Sequence, residues 1–214
     1  IEGILAASVK KRLGAILARR DIERGFTPDL VTYIPESGEY YWIGYLQEFH
    51  RQMNEQMVGG EVKIKKMPLL DKTLLKYTYA GRGFFQLTDK AEEEESYVKI
   101  LELGEEYPGA IAVVIDDSIV GGAQARANLV PKLRRAGIKE IHMRIGSPEL
   151  YSPCRWGKVI KPGKILAQRL PSKEDRIREL GIDGLEHTTI EDLVEAIGRP
   201  REQLCLDCYL EALG

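Results

Sequence analysis

The sequence predicts an α/β fold: a central, mainly parallel sheet flanked by helices, with a small helical C-terminal extension. Three observations lead there. "AIAVVI" (110–115) is a continuous β-branched run, too short for a capped helix and suited to a parallel strand buried on both faces. A helical stretch, "AQARANLVPKLRRAG" (123–137), and a second strand, "EIHMRI" (140–145), follow it and complete a βαβ unit. After Pro148 the pattern changes to loop and short capped helices, which places a core at 1–148 and an extension at 149–214.

Composition agrees with a globular chain. Of 214 residues, 43% are hydrophobic and 30% charged. There are 31 basic and 33 acidic residues, for a net charge of -2. No overall basic excess suggests nucleic acid. No apolar run approaches the ~20 residues that span a bilayer, and no secretory leader is visible, so no membrane partner is expected. Three cysteines are an odd number and too few for a disulfide framework, which places the chain in a reducing cytoplasm.

Along the chain, "ASVKKRLGAILARR" (7–20) spaces Val9, Leu13, Ile16 and Leu17 helically. "DLVTYI" (29–34) reads as a strand stopped by the turn-forming "PESG" (35–38), and 40–57 as a helix ending at Gly59–Gly60. "EVKIKKMPLL" (61–70) alternates like a strand. The aromatic and glycine-rich 74–87 reads as extended chain around a mobile loop, and 89–107 as helical at its start. Pro131 is a blemish inside the 123–137 helix. Ser172 and Thr189 are N-caps for helices at 172–181 and 189–198, and 200–213 reads as a last helix with Pro200 in its first turn. His142 reads as a packed imidazole, His50 and His187 as exposed, and Trp42 and Trp156 as packing residues.

Chemistry concentrates in "AVVIDDSIVGGAQA" (112–125). Asp116 and Asp117 close the buried strand, and Gly121 and Gly122 open the way to a helix. Ligands of open parallel sheets gather at the carboxyl ends of strands, and helix N-termini attract phosphate. Glycines let a backbone approach closely, and paired carboxylates accept hydrogen bonds from vicinal hydroxyls. The loop is thus a candidate for a phosphorylated sugar. Two acids after a strand also simply cap helices, and Gly-Gly is also an ordinary turn; spacing alone leaves both readings open.

"VVIDDSIVGG" resembles the phosphoribosyl pyrophosphate (PRPP) motif of type I phosphoribosyltransferases, in particular the amidophosphoribosyltransferase branch of purine biosynthesis. "IEGILAASVKKRLGAILA", "IPESG", "LKYTYAGRGFFQ", "AGIKEIHMRIGSP", "IRELGIDGL" and "LVEAIGRPREQLCLDC" are similar to further family segments, so nearly the whole chain is covered, most weakly at 45–70. The resemblance implies the type I phosphoribosyltransferase fold and a pentosyltransferase that displaces pyrophosphate from PRPP with ammonia to give phosphoribosylamine. By position it implies that Asp116 and Asp117 bind ribose hydroxyls. Ser118, Ile119, Val120, Gly121, Gly122, Ala123 and Gln124 would wrap the 5′-phosphate, and Glu36, Ser37 and Gly38 would hold pyrophosphate. Lys76, Tyr79 and Arg82, on a flexible loop near 75–88, would close over PRPP as catalytic residues. It also implies Mg²⁺ bridging substrate oxygens and a homo-oligomer.

The chain departs from that pattern. Gly121 stands where the family usually has Arg, Ala123 and Gln124 replace hydroxyl residues, and Thr78 replaces an Arg. Bulky "EYYW" (39–42) follows the pyrophosphate turn. These changes support an alternative: a non-catalytic PRPP- or nucleotide-binding regulatory or scaffold subunit. Transfer to another acceptor, such as a base, is a third reading. Glutamine-using members carry an N-terminal glutaminase domain. The resemblance begins at the usual junction, so ammonia is expected free or from a separate glutaminase chain.

Cys205 and Cys208 form a C-x-x-C, which by spacing suits two core cysteines, half a zinc site or a redox pair. With Cys154 they occupy motif positions that, by the resemblance, ligate a [4Fe-4S] cluster. A fourth ligand would then come from outside this chain.

Overall fold

Five strands form one parallel sheet: β1 (Leu30–Tyr33), β2 (Leu69–Leu70), β5 (Ile111–Asp116), β6 (Glu140–Ile145) and β7 (Gly184–His187), in the order β2-β1-β5-β6-β7. In this computed structural model, the described residues are 3–59, 64, 66–76, 100–102, 107–154, 156, 160 and 163–210. A separate antiparallel pair joins β3 (Leu74–Lys76) to β4 (Ile100–Glu102).

The apolar run at 110–115 is the central strand, and its alternation feeds two cores. Ala112 and Val114 point to one face, with Leu129, Leu133, Ile141, Met143 and Leu180. Val113 and Ile115 point to the other, with Leu13, Leu17, Tyr45 and Phe49. All four strand residues are fully buried. Each such aliphatic side chain stabilises the fold by roughly 1.5–3 kcal/mol.

The second face is covered by α1 (Ala6–Glu23) and α2 (Glu39–Gly59). They cross closely: a Cβ at Gly44 would stand 1.9 Å from the Lys11 carbonyl oxygen. The first face is covered by α3 (Val130–Arg135), α4 (Leu166–Arg169) and α5 (Lys173–Leu180), and α6 (Ile190–Ile197) follows β7. Ser172 caps α5 by accepting from the Asp175 amide. Thr189 forms a reciprocal capping box with Asp192 on α6. No helix among the described residues is long and apolar enough to cross a membrane.

Several expectations are corrected. Pro131 is accommodated by a π-helical turn at Ala125–Leu129, where the Val130 amide reaches back to Ala125; the wider turn leaves room before the proline ring. Only Leu69–Leu70 of 61–70 is a strand, and 61–63 and 65 lie outside the described residues, as do 77–99. Over 201–210 the stretch after Pro200 is not one helix but two 3₁₀ turns, Arg201–Gln203 and Asp207–Tyr209, and 211–213 lie outside the described residues. The Cys208 carbonyl bonds the amides of Tyr151 and Ser152 instead of a helix of its own. β7 lies past residue 148 yet completes the sheet, so the sheet crosses the expected division. His187, expected exposed, has a side chain only 14% exposed and contacts the Ser147 carbonyl, while Trp156 is 79% exposed rather than packed.

Candidate functional site

β1 and β5 are parallel neighbours, so the turn after one and the loop after the other emerge at the same edge of the sheet. The Ile34 amide donates to the Ile115 carbonyl, which draws the 34–38 turn onto the end of β5. A Cβ at Gly38 would lie 2.2 Å from the Ile115 carbonyl oxygen, so only glycine permits this approach. Gly38→Ala is expected to lower stability by about 2–4 kcal/mol, read as a fall in urea midpoint, because its neighbour is backbone and cannot swing aside. Glu36, two residues earlier, has φ 69°, the only non-glycine residue with positive φ among those described. Such backbone conformations recur at ligand-holding turns.

This geometry brings the two expected ligand-holding segments together. The Ser37 hydroxyl donates to Asp116 Oδ1 at 2.6 Å, and the Asp117 amide donates to the same oxygen at 2.8 Å. Ser118 donates to Asp117 at 3.1 Å. Burial is the main cause that pushes the Asp116 carboxyl up to about 7. The charge of Asp117 adds to it, and the Ser37 hydrogen bond opposes it. The aspartate loop is not sealed: Asp116, Asp117, Ser118, Val120, Gly121 and Gly122 are half-buried, Ala123 and Gln124 exposed, and Ile119 alone packs into the core. A cavity of about 360 Å³ lies elsewhere, lined by Glu149, Arg176, His187 and Thr189 among others.

Gly121 has a tertiary reason. A Cβ there would lie 2.9 Å from the Lys164 carbonyl oxygen, and the Leu166 amide donates to the Val120 carbonyl. The 163–170 segment therefore lies directly against this half of the loop.

Two side chains that sequence reasoning did not select stand beside the aspartates. Tyr41 of the "EYYW" stretch turns inward rather than across the turn. It is buried against Gly146, and its phenol pKa is pushed up first by burial and then by Asp117, Tyr209 and Asp116. Lys10 lies 5.5 Å above its ring. Tyr209 is raised by burial, then by Cys208 and Asp117, so it lies within electrostatic reach of both the aspartate loop and the cysteines. No local pattern marks Tyr209, which reaches the site from a distant element, and the "EYYW" stretch showed Tyr41 as bulk but not its packing against Gly146.

Of the expected catalytic residues, Lys76 ends β3, while Tyr79 and Arg82 lie outside the described residues. The cysteines do converge: burial, then Cys154 and Cys205, push the Cys208 thiol up. Yet no three His, Cys, Asp or Glu among the described residues are placed to hold one metal ion. As they stand, Cys154, Cys205 and Cys208 do not form a single-ion metal site among the described residues.

No family model matches the chain. It is 33% identical over 208 residues to the amidophosphoribosyltransferase of Methanocaldococcus jannaschii, covering 97% of this chain and 39% of that protein. Against the amidophosphoribosyltransferase of Methanothermobacter thermautotrophicus, identity is 39% over 97% of this chain and 40% of the relative. The fold matches a solved structure of the Bacillus subtilis glutamine PRPP amidotransferase, complexed with ADP and GMP. The TM-score is 0.74 and the identity 30%, over 98% of this chain and 42% of that one. The chain thus spans about two fifths of the length of the relatives it matches. Over the part of those proteins that it matches, the chain is similar along nearly its whole length to amidophosphoribosyltransferases.

Proposed function

We propose that the chain binds PRPP at the carboxyl edge of its sheet and displaces pyrophosphate with ammonia to give phosphoribosylamine. The observation that carries this reading is the Ser37–Asp116 hydrogen bond, which sets the 36–38 turn beside the aspartate loop. In this reading Asp116 and Asp117 accept from the ribose hydroxyls, residues 118–124 surround the 5′-phosphate, and residues 36–38 hold the pyrophosphate. The leaving group departs with its charge stabilised, and ammonia forms the new bond at C1 of the sugar. Mg²⁺ enters on the pyrophosphate and ribose oxygens, as part of the substrate. Lys76, Tyr79 and Arg82 are proposed to close over the bound molecule and exclude water. Ammonia comes free or from a partner glutaminase, and the working form is proposed to be a homo-oligomer in the cytoplasm.

A second reading, a PRPP- or nucleotide-binding subunit without turnover, is favoured by Gly121, which offers the phosphate no side chain, and by Tyr41 packed beside the aspartates. One experiment separates the two. Folded chain, Mg²⁺, PRPP and increasing ammonium are assayed for pyrophosphate, with PRPP binding followed by calorimetry. Ammonium-dependent release supports transfer. Binding without release at any ammonium concentration supports the second reading, and no binding defeats both.

No step runs through an iron–sulfur cluster. The chain's three cysteines supply at most three of four thiolates, so a cluster would need a ligand from outside these 214 residues.

A further inference from the structure

We propose that Ser37 is a positioning residue that couples the two halves of the site: its hydroxyl bonds Asp116 while the 36–38 turn is empty and turns to a phosphate oxygen when pyrophosphate fills it. The inference rests on the reading just given and assigns a role to a side chain within it.

A serine hydroxyl has one proton to donate. That proton goes to Asp116 Oδ1 at 2.6 Å, with the Asp117 amide as second donor. Among the described residues, the one other contact of this hydroxyl, with the Ile34 carbonyl, is long at 3.5 Å. Ser37 sits at the mouth of the turn between exposed Glu36 and buried Gly38, so a phosphate held there competes with Asp116 for one donor. A carboxylate that loses a donor is less stable as an anion and takes up a proton more readily. Asp116 already titrates near neutrality, so the exchange changes its charge at working pH.

Other charged groups face this carboxyl. Asp117 is next to it in the chain, Tyr41 approaches from α2 with Lys10 of α1 above its ring, and Tyr209 faces Asp117 from the last described turn. Burial holds both phenols protonated well above neutral pH, so neither changes charge there. Just past β6, the Gly146 amide donates to the Asp116 main-chain carbonyl. Ser37 is therefore a switchable donor to Asp116. Pyrophosphate and sugar bound together then oppose one another through it, and that coupling is reciprocal. After transfer, the opposition favours departure of the products.

The test measures binding of ribose 5-phosphate to the full chain across pH, with and without saturating inorganic pyrophosphate, in wild type, Ser37→Ala and Ser37→Thr. Without pyrophosphate, the pH at which sugar affinity is half-lost is expected to rise by about one unit in Ser37→Ala and to return in Ser37→Thr. With pyrophosphate bound, wild type and Ser37→Ala are expected to share one midpoint, because Asp116 has lost the hydroxyl in both. Equal midpoints without pyrophosphate, or a difference that persists with it, would overturn the coupling while leaving the function intact. Failure of wild type to bind ribose 5-phosphate or PRPP overturns both.

Discussion

Asp116→Asn is expected to weaken PRPP binding by about 10- to 150-fold, the loss of one charge-assisted hydrogen bond, while making the ligand-free protein more stable above neutral pH. The two effects have one cause. Asp116 ends a strand whose middle four residues are fully buried, and its carboxyl is pushed up to about 7 by burial and by Asp117. In the unfolded chain the same carboxyl ionises near pH 4. Between those values, unfolding releases a proton, so each rise in pH favours the unfolded chain. The resulting loss of stability is absent below about pH 4, grows up to about 7 and is constant above. Its ceiling is about 4 kcal/mol. That net figure already includes the bonds from Ser37 and the Asp117 amide to the anion; asparagine loses their charge-assisted part, so it is expected to gain about 1–2 kcal/mol at pH 8 and nothing near pH 3.5. Urea midpoints at the two pH values measure this, and calorimetry with PRPP measures the binding. A variant that loses stability at pH 8, or binds PRPP as wild type does, contradicts the assignment of Asp116.

Asp21→Ala is expected to lose about 3–5 kcal/mol, the largest stability effect of any single change considered. Asp21 of α1 is 1% exposed and accepts from Nε and Nη2 of the Arg144 guanidinium, at 2.8 and 2.9 Å. The Tyr45 hydroxyl of α2 donates to it at 2.7 Å. Three elements thus meet on one buried carboxylate. Removing it leaves a cation and a phenol without their acceptor in a dry site. The pair itself contributes less than its removal costs, because burying two charges offsets most of their attraction. The triple replacement Asp21→Leu, Arg144→Met, Tyr45→Phe is therefore expected to lie within about 2 kcal/mol of wild type. Equilibrium unfolding of the single and triple variants is the measurement. A single variant within 1 kcal/mol of wild type, or a triple variant as damaged as the single, would show the network to be unimportant.

Much of the site was legible because its signals are local. An apolar run closed by two acids and followed by glycines marks a strand end facing a loop, and "PESG" marks a turn. The short helices at 173–180 and 190–197 were legible from Ser172 and Thr189, since a cap acts within one turn of itself. The last helix failed for the opposite reason. "PREQLCLDCYLEAL" carries helical spacing, but the Tyr151 and Ser152 amides take the Cys208 carbonyl, and a segment of weak intrinsic preference follows its tertiary partners. Tyr41 was readable as bulky but not as buried, since its place depends on a glycine at 146.

By itself the sequence determined the three middle parallel strands, the acidic pair at the end of the central one and the caps of the short helices. Those follow from side-chain period and from contacts a few residues apart. Only the tertiary structure decided that Ser37 reaches Asp116 across 79 positions and that Arg144 reaches Asp21 across 123. It also set the Lys164 carbonyl where a side chain at 121 would need to go. These depend on which surfaces the packed sheet and helices bring into contact, and no short-range preference along the chain encodes that meeting.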